Sequence, residues 1–428
     1  MLDIKLFRNP EDVERIKASE RKRFKDTAAV DNLVSLDLEW RNSKKRIDDL
    51  KADKNKLTRD VTELMRNNRK DDAQALIVRV REINNEISEL EKRCDELKLN
   101  SDKIRYTIGN VLHDSVPAAK DESGNRLERT VGEKPVFDFE PQAHGDLVLG
   151  LGCDFEKAAE VSGARTYYLK HDVTLLNLAL INFCVNHMVD KGYIPVWTPF
   201  FMRREPMEAA AELADFAEQL YKIDGEDLFL IATSEQPLAA LHMNEIIDED
   251  KLPVKYAGVS TCFRKEAGSH GKDTKGIFRI HQFEKVEQYV YCKPEDSWSM
   301  QEEMISATEE LFKKLDIHYR VVNIASGEMN DNAARKYDLE GWFPAQNTYR
   351  ELVSCSNCTD YQARKLNIRF GKAGGHKEVV HTLNSTVMAI ERAICCILEN
   401  YQNADGSIKI PEVLKPYMNG RDVMKRIL

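Results

Sequence analysis

Five side chains near the middle of this 428-residue sequence carry groups that a nucleotide and an amino acid jointly require: Arg264, Glu266, Arg279, Phe283 and Glu287. A guanidinium bridges phosphate and carboxylate with fixed geometry. An aromatic ring stacks on a purine. Carboxylates read an amine or a hydroxyl. In IFRIHQFEKVEQYVYC a period of two puts Arg279, His281, Phe283, Lys285 and Glu287 on one strand face. In VKYAGVSTCFRKE, just before it, Cys262, Arg264 and Glu266 alternate onto one side. The ten residues AGSHGKDTKG between them hold Gly268, Gly271 and Gly276 with His270, Lys272 and Lys275, which predicts a long basic hairpin loop. Any one of these groups alone is an ordinary surface-strand residue in an ion pair. Five at this spacing around a glycine-rich loop point to a site.

Two later segments add chemistry. YRELVSCSNCTDYQARKL spaces Glu351 and Ser354 three apart beside Cys355 and Cys358. HTLNSTVMAIERAICCILENYQ contains Asn384, Ser385 and Thr386, residue types that cap helices. The expected helix buries Val387, Ile390, Ile394 and Ile397 and leaves Arg392 off that stripe, where an arginine is ordinarily half of a surface ion pair. The CxxC has no second pair at metal-ligand spacing, so two ordinary thiols are a better reading than a zinc site. Nine cysteines at irregular spacing suit a reducing compartment rather than a disulfide framework.

These residues need elements to hold them, and the chain is long enough for two or three domains with a buried enzyme core. With 42% hydrophobic and 32% charged residues it fits neither disorder nor a membrane protein. No apolar run approaches the roughly 20 residues of a spanning helix. The opening MLDIKLFRNPED carries Asp3, Glu11 and Asp12 and lacks a signal-type stretch, so a cytoplasmic address is expected. The net charge of −9 argues against indiscriminate coating of nucleic acid.

A heptad seam runs through Leu36, Trp40, Ser43, Ile47, Leu50, Lys54, Leu57, Val61 and Leu64. After the polar break RNNRKDD it resumes through Leu76, Val80, Ile83, Ile87, Leu90, Cys94, Leu97, Ser101, Ile104 and Ile108. No Pro or Gly interrupts Val30 to Thr107, so two long helices should fold back on each other, antiparallel. From Trp40 to Lys70 eleven basic residues face five acids, whereas from Asp71 to Asn100 five face eight. Coiled-coil arms most often join proteins, and their exposed charges are then merely solvated. Such a stripe also suits a phosphate backbone, where contacts set affinity and register. Beyond the arm, 114–150 reads as a linker with short irregular strands, and the catalytic body is expected to begin near Gly150. A helix from Leu175 to Val189, Gly192 and the strand YIPVWTPFF follow, ending near Pro199.

Taken together, the chain resembles the seryl-tRNA synthetases, in their cytosolic eukaryotic form. The resemblance rests on the two-helix arm and the three ordered signatures of class II aminoacyl-tRNA synthetases. These are the helix and strand ending at Pro199, STCFRKEAG through FRIHQFEKVEQ, and HTLNSTVMAIERAICCILENYQ, together with TSEQ at 233–236, similar to the family's serine-recognition loop. The implied fold is α+β: an N-terminal antiparallel two-helix coiled-coil arm, then a class II synthetase catalytic domain built on an antiparallel β-sheet flanked by helices. The implied division is a tRNA-binding domain at 1–113, with its arm at about 30–108, and an aminoacylation domain at 114–428.

The resemblance also implies roles. Arg264 holds the α-phosphate and the serine carboxylate, Glu266 lies near the adenine amine, and Phe283 stacks on adenine with Arg279 and Ile280 close by. Glu351 and Ser354 bind Mg²⁺, Leu352 and Val353 complete that ATP-binding stretch, and Arg392 meets the γ-phosphate. Thr233, Glu235, Glu287, Asn384 and Thr386 form the serine pocket. Ser385 stands where the family often has Gly. On the arm, Arg41, Lys44, Lys45, Lys51 and Arg59 become candidate tRNA contacts. The implied activity is serine–tRNA ligation: ATP and L-serine give seryl-adenylate and pyrophosphate, then serine passes to tRNA(Ser), and to tRNA(Sec), on a homodimer. A paralogue that loads a carrier protein or regulates, and a noncatalytic coiled-coil scaffold, are the alternatives. The intact arm and TSEQ speak against the first, and the assembled ATP residues against the second.

Overall fold

The computed structural model describes residues 1–211, 219–267, 273 and 275–427, and it divides into two compact units, Met1–Val111 and Leu112–Leu428. Of the predicted basic loop, Gly268, His270, Gly271 and Lys272 lie outside the described residues.

In the first unit a short helix, α1 (Pro10–Lys22), precedes the two long ones, α2 (Ala28–Arg66) and α3 (Lys70–Arg105). At about 1.5 Å per residue each long helix extends roughly 55 Å. Every seam position read from the heptads is buried or half-buried. Ile47, Leu50, Ile83, Ile87 and Cys94 form the tightest cluster, with Trp40, Leu57 and Leu90 packed on it. Burying each such aliphatic chain contributes about 1.5–3 kcal/mol, which exceeds what helix propensity alone supplies. Ion pairs cross the seam from Arg46 to Glu86 at 2.8 Å, Lys51 to Glu91 at 2.9 Å and Arg93 to Glu39 at 2.8 Å, so part of the basic stripe is neutralised by the acidic partner helix.

The second unit is built on eight strands: β1 (Arg126–Val131), β2 (Ile194–Trp197), β3 (Val254–Phe263), β4 (Gln282–Cys292), β5 (Tyr319–Asn323), β6 (Arg335–Phe343), β7 (Thr348–Asn357) and β8 (His381–Ala389). They lie in the order β1-β5-β6-β7-β8-β4-β3-β2. Every pairing is antiparallel except β2 with β3. Helices α4 (His171–Asp190), α5 (Ser297–Lys314) and α6 (Ile390–Asn400) share the main core with this sheet. On β4 the period of two divides the residues as read: Val286, Val290 and Cys292 enter that core, and Phe283, Lys285 and Glu287 face a cavity.

Four expectations are corrected. The catalytic body begins well before Gly150, because β1 pairs with β5 and Leu112 and Val116 pack against Val322, Ile324 and Met329. Asn384, Ser385 and Thr386 cap no helix; they sit inside β8, and α6 starts only at Ile390. A strand flanked by β7 and β4 is buried over most of its length, so its polar residues belong to the sheet interior rather than to a helix start. Arg264 and Glu266 lie beyond the end of β3: one more main-chain bond joins Arg264 N–H to His281 O at 2.9 Å, and Glu266 then adopts φ +51°, which turns the chain away. Finally, α4 is long and apolar enough to cross a membrane by composition, with mean hydropathy 1.3, yet Val173, Leu176, Leu180 and Phe183 anchor it in the core.

Candidate active site

Two adjoining chambers open along β4, β7 and β8. The larger, about 350 Å³, is lined by Thr233, Glu235, Arg264, Glu287, Ser354, Asn384 and Thr386, among others. The smaller, about 60 Å³, is lined by Ile280, Phe283, Leu352, Glu391 and Arg392, among others. Arg264, Glu266, Arg279, Lys285, Glu351 and Thr386 line both.

The larger chamber is polar because strand register sets its walls. Thr386 on β8 lies directly across from Glu287 on β4, and Glu287 across from Gly258 on β3. A Cβ on Gly258 would meet Leu238 Cδ1 at 2.6 Å, so the back of this wall admits no side chain there. Glu235 opens the short helix Glu235–Ala240. Its Oε1 accepts from Asn384 Nδ2 at 3.0 Å and from Gln362 Nε2 at 2.9 Å, which fixes the carboxylate on the chamber wall. Glu287 is 2% exposed and its Oε2 lies 2.5 Å from Lys285 Nζ.

In the smaller chamber, the Arg264 guanidinium lies 5.2 Å from the centre of the Phe283 ring, and its Nε donates to Ala232 O at 3.2 Å. Arg279 donates to Glu266 at 2.9 Å. Arg392 sits 5.0 Å over Phe278, whose ring also carries Arg350 at 4.1 Å. Behind it the buried Glu391 accepts from Tyr167 Oη at 2.8 Å and from Glu284 N–H at 3.0 Å. Burial, then the neighbouring Glu284 carboxylate, push the Glu391 carboxyl well above its ordinary range.

Glu351 and Ser354 project from β7 into the larger chamber. A carboxylate and a hydroxyl are the hard oxygen donors that Mg²⁺ takes. Asp338 on β6 lies directly across from Ser354; it is buried, burial pushes its carboxyl up to about 7, and its Oδ1 has no hydrogen-bond partner among the described residues. Asp338 does not line the chamber, so the donors on its wall that fit a magnesium ion are Glu351 and Ser354.

Of the residues given nucleotide, serine or metal roles by the resemblance, the chambers collect all but Val353. Val353 points the other way, 1% exposed in the main core, as alternation beside Ser354 requires. Ser385 is fully buried in β8. All nine cysteines are free thiols, and among the described residues no three His, Cys, Asp or Glu side chains gather as a metal cluster. Sequence reading gave no role to Phe278, Glu391 or Lys285. Phe278 and Glu391 carried no local signal, but Lys285 stands two residues before Glu287 on the same strand face and was findable from that spacing.

A mixed sheet of this topology, delivering an arginine, a ring and paired carboxylates to joined chambers, defines a class II aminoacyl-tRNA synthetase core. Residues 219–401 match the family model described as tRNA synthetase class II core domain (G, H, P, S and T), and residues 1–112 match Seryl-tRNA synthetase N-terminal domain. The chain belongs to the seryl-tRNA synthetase family. It is 52% identical over 427 residues to a serine--tRNA ligase of Methanosphaera stadtmanae, covering 99% of this chain and 100% of that one. The seryl-tRNA synthetase of Pyrococcus horikoshii complexed with ATP superposes with TM-score 0.96 at 44% identity, over 100% of both chains. The cytoplasmic serine-tRNA ligase of Naegleria fowleri in complex with AMP gives TM-score 0.91 at 40% identity, over 100% of this chain and 99% of that one. Archaeal and eukaryotic relatives therefore stand at similar distance.

Proposed function

We propose that the chain activates L-serine with ATP and esterifies tRNA(Ser), with tRNA(Sec) as a second acceptor. The observation that carries this reading is the pair of chambers sharing Arg264, with Phe283 lining one and Glu287 the other. In the first step a serine carboxylate oxygen attacks the α-phosphorus of ATP, the bond to the β-phosphate breaks, and pyrophosphate leaves. Arg264 reaches both reactants, holds carboxylate against phosphate, and stabilises charge that shifts during displacement. Phe283 supports adenine, with Glu266, Arg279 and Ile280 around it. Arg392 meets the terminal phosphate. Glu351 and Ser354 would hold Mg²⁺, which when bound neutralises phosphate charge.

Serine is read by pairing: Thr233 and Glu235 take the amine, and Glu287, Asn384 and Thr386 surround the hydroxyl. In the second step the 3′-terminal ribose hydroxyl of tRNA attacks the seryl carbonyl, loses its proton, and AMP leaves. Nothing in the chambers requires a covalent enzyme nucleophile. The arm's exposed cations support tRNA binding through backbone phosphates and shape. The exposed apolar side chains Leu178, Ile194, Trp197 and Phe201, on α4, β2 and just beyond, support a homodimer. That the similar Naegleria fowleri ligase is a cytoplasmic one supports a cytoplasmic setting. Charging of tRNA(Ser) transcript with labelled serine tests the reading: ester formation with serine is expected, and none under any condition would refute it.

A further inference from the structure

Among the described residues, Lys285 is the one cation on the shared wall tied directly to Glu287. Its Nζ lies 2.5 Å from Glu287 Oε2, with side-chain exposures of 9% and 2%. Among the described residues Oε2 has no hydrogen-bond partner, so what holds it is the charge contact with Lys285. The two side chains leave β4 on the same face, two residues apart. Neighbouring strands fix both: Glu287 is flanked by Thr386 and Gly258, and Lys285 by Ala389 and the buried Ser260. Unlike Glu287, Lys285 also lines the smaller chamber. An ion pair this dry is expensive to form and is rarely more stabilising than apolar packing of the same volume, so its presence here asks for a use.

We propose that Lys285 is a specificity-determining residue. Its ammonium pins one oxygen of Glu287 so that the carboxylate keeps a single orientation, and the hydroxyl of serine meets an acceptor already in place. An unpinned Glu287 would rotate, and a rotated carboxylate no longer offers its acceptor to the hydroxyl. The site would then lose its penalty against alanine, which comes from leaving a charged acceptor unpaired. This inference rests on the proposed reading of Glu287 as the hydroxyl acceptor.

The test compares wild type, Lys285→Met, Lys285→Arg, Glu287→Gln and the doubly neutral Lys285→Met/Glu287→Gln variant. The double variant removes both charges and so avoids a stranded buried one. For each, thermal unfolding, ATP affinity in the absence of serine, and kcat/KM for serine and alanine in ATP–pyrophosphate exchange are measured. Lys285→Met is expected to raise the serine KM and to reduce the serine-to-alanine ratio by about 100-fold, with ATP affinity within about threefold of wild type. Lys285→Arg should recover at least about tenfold of that ratio, because the charge is kept. If Lys285→Met is too unstable to assay, the double variant serves, with the same loss of discrimination expected. An unchanged ratio in a folded Lys285→Met or double variant, or an arginine variant no better than methionine, overturns the inference. If Glu287→Gln alone alters discrimination, the functional reading survives that failure. If Glu287→Gln also leaves discrimination unchanged, the reading of Glu287 itself falls.

Discussion

Arg392 and Glu351 meet across the two chambers: Arg392 Nη1 lies 3.5 Å from the Glu351 carboxylate and donates to the Glu351 main-chain carbonyl at 3.2 Å. The contact joins α6 to β7 and sets a guanidinium beside the carboxylate proposed to hold magnesium. Phe278 beneath the guanidinium keeps it in plane. The guanidinium and the carboxylate, both proposed to act on the polyphosphate, are thus held in fixed relation before any chemistry.

Arg392→Ala should therefore reduce serine-dependent ATP–pyrophosphate exchange by about 10²-fold, with the loss in ATP KM and kcat and little change in serine KM. Steady-state exchange kinetics check this, and an unchanged ATP KM would remove Arg392 from the nucleotide site.

Phe283 has two partners, adenine as proposed and Arg264 at 5.2 Å. Phe283→Ala should weaken ATP binding by about 1–2 kcal/mol, or roughly tenfold, and Phe283→Tyr should restore most of it. Equilibrium dialysis with ATP decides. A tyrosine variant as weak as alanine would exclude stacking as the cause.

On the arm, Arg41 is engaged by the buried Asp37 at 2.8 Å and Lys51 by Glu91 at 2.9 Å, whereas Lys44, Lys45 and Arg59 are exposed with no ion pair among the described residues. Replacing these last three by Ala should raise the tRNA KM and lower the slope of log affinity against log salt by about 3, leaving pyrophosphate exchange intact. Arg41→Ala or Lys51→Ala should do less. Equal effects for the paired and unpaired residues would contradict phosphate contact as the basis.

His144 supplies a pH test. It is buried between the edges of Phe278 and Phe343, and burial, then the Arg350 charge, depress its imidazole to about 4. The folded ring stays neutral where an unfolded one, near 6.5, takes a proton. Its contribution is therefore complete above pH about 6.5 and lost as pH falls toward about 4, by at most about 3 kcal/mol. Denaturant unfolding of wild type and His144→Phe at several pH values should show a stability difference that shifts in favour of the variant by about 2–3 kcal/mol across that interval. A difference independent of pH would show that the folded ring titrates as the unfolded one does, and would contradict its depression by burial.

The arm was legible because a 3.5-residue repeat without Gly or Pro has one folded outcome, and every seam position from Leu36 to Ile108 is buried or half-buried. The face of β4 was legible because one side meets the core and the other a polar chamber, which writes alternation into the residues. β8 was not. Flanked on both edges and covered on both faces, HTLNSTVMA shows no period of two, and its Asn, Ser and Thr imitate a helix start. β1 escaped for the opposite reason: as an exposed edge strand, RLERTV is mostly charged and shows little of an apolar face. What joins Glu235 to Asn384, 149 residues apart, is strand order, and spacing along the chain cannot express it.

The most direct measurement is ATP–pyrophosphate exchange by the intact wild-type chain with serine, threonine, alanine and glycine compared under identical conditions. Serine should support exchange with kcat/KM at least about 10³-fold above alanine and glycine, which lack the hydroxyl proposed to pair with Glu287. Exchange that alanine drives as well as serine does, or that no amino acid drives, would contradict one shared site for nucleotide and hydroxy amino acid.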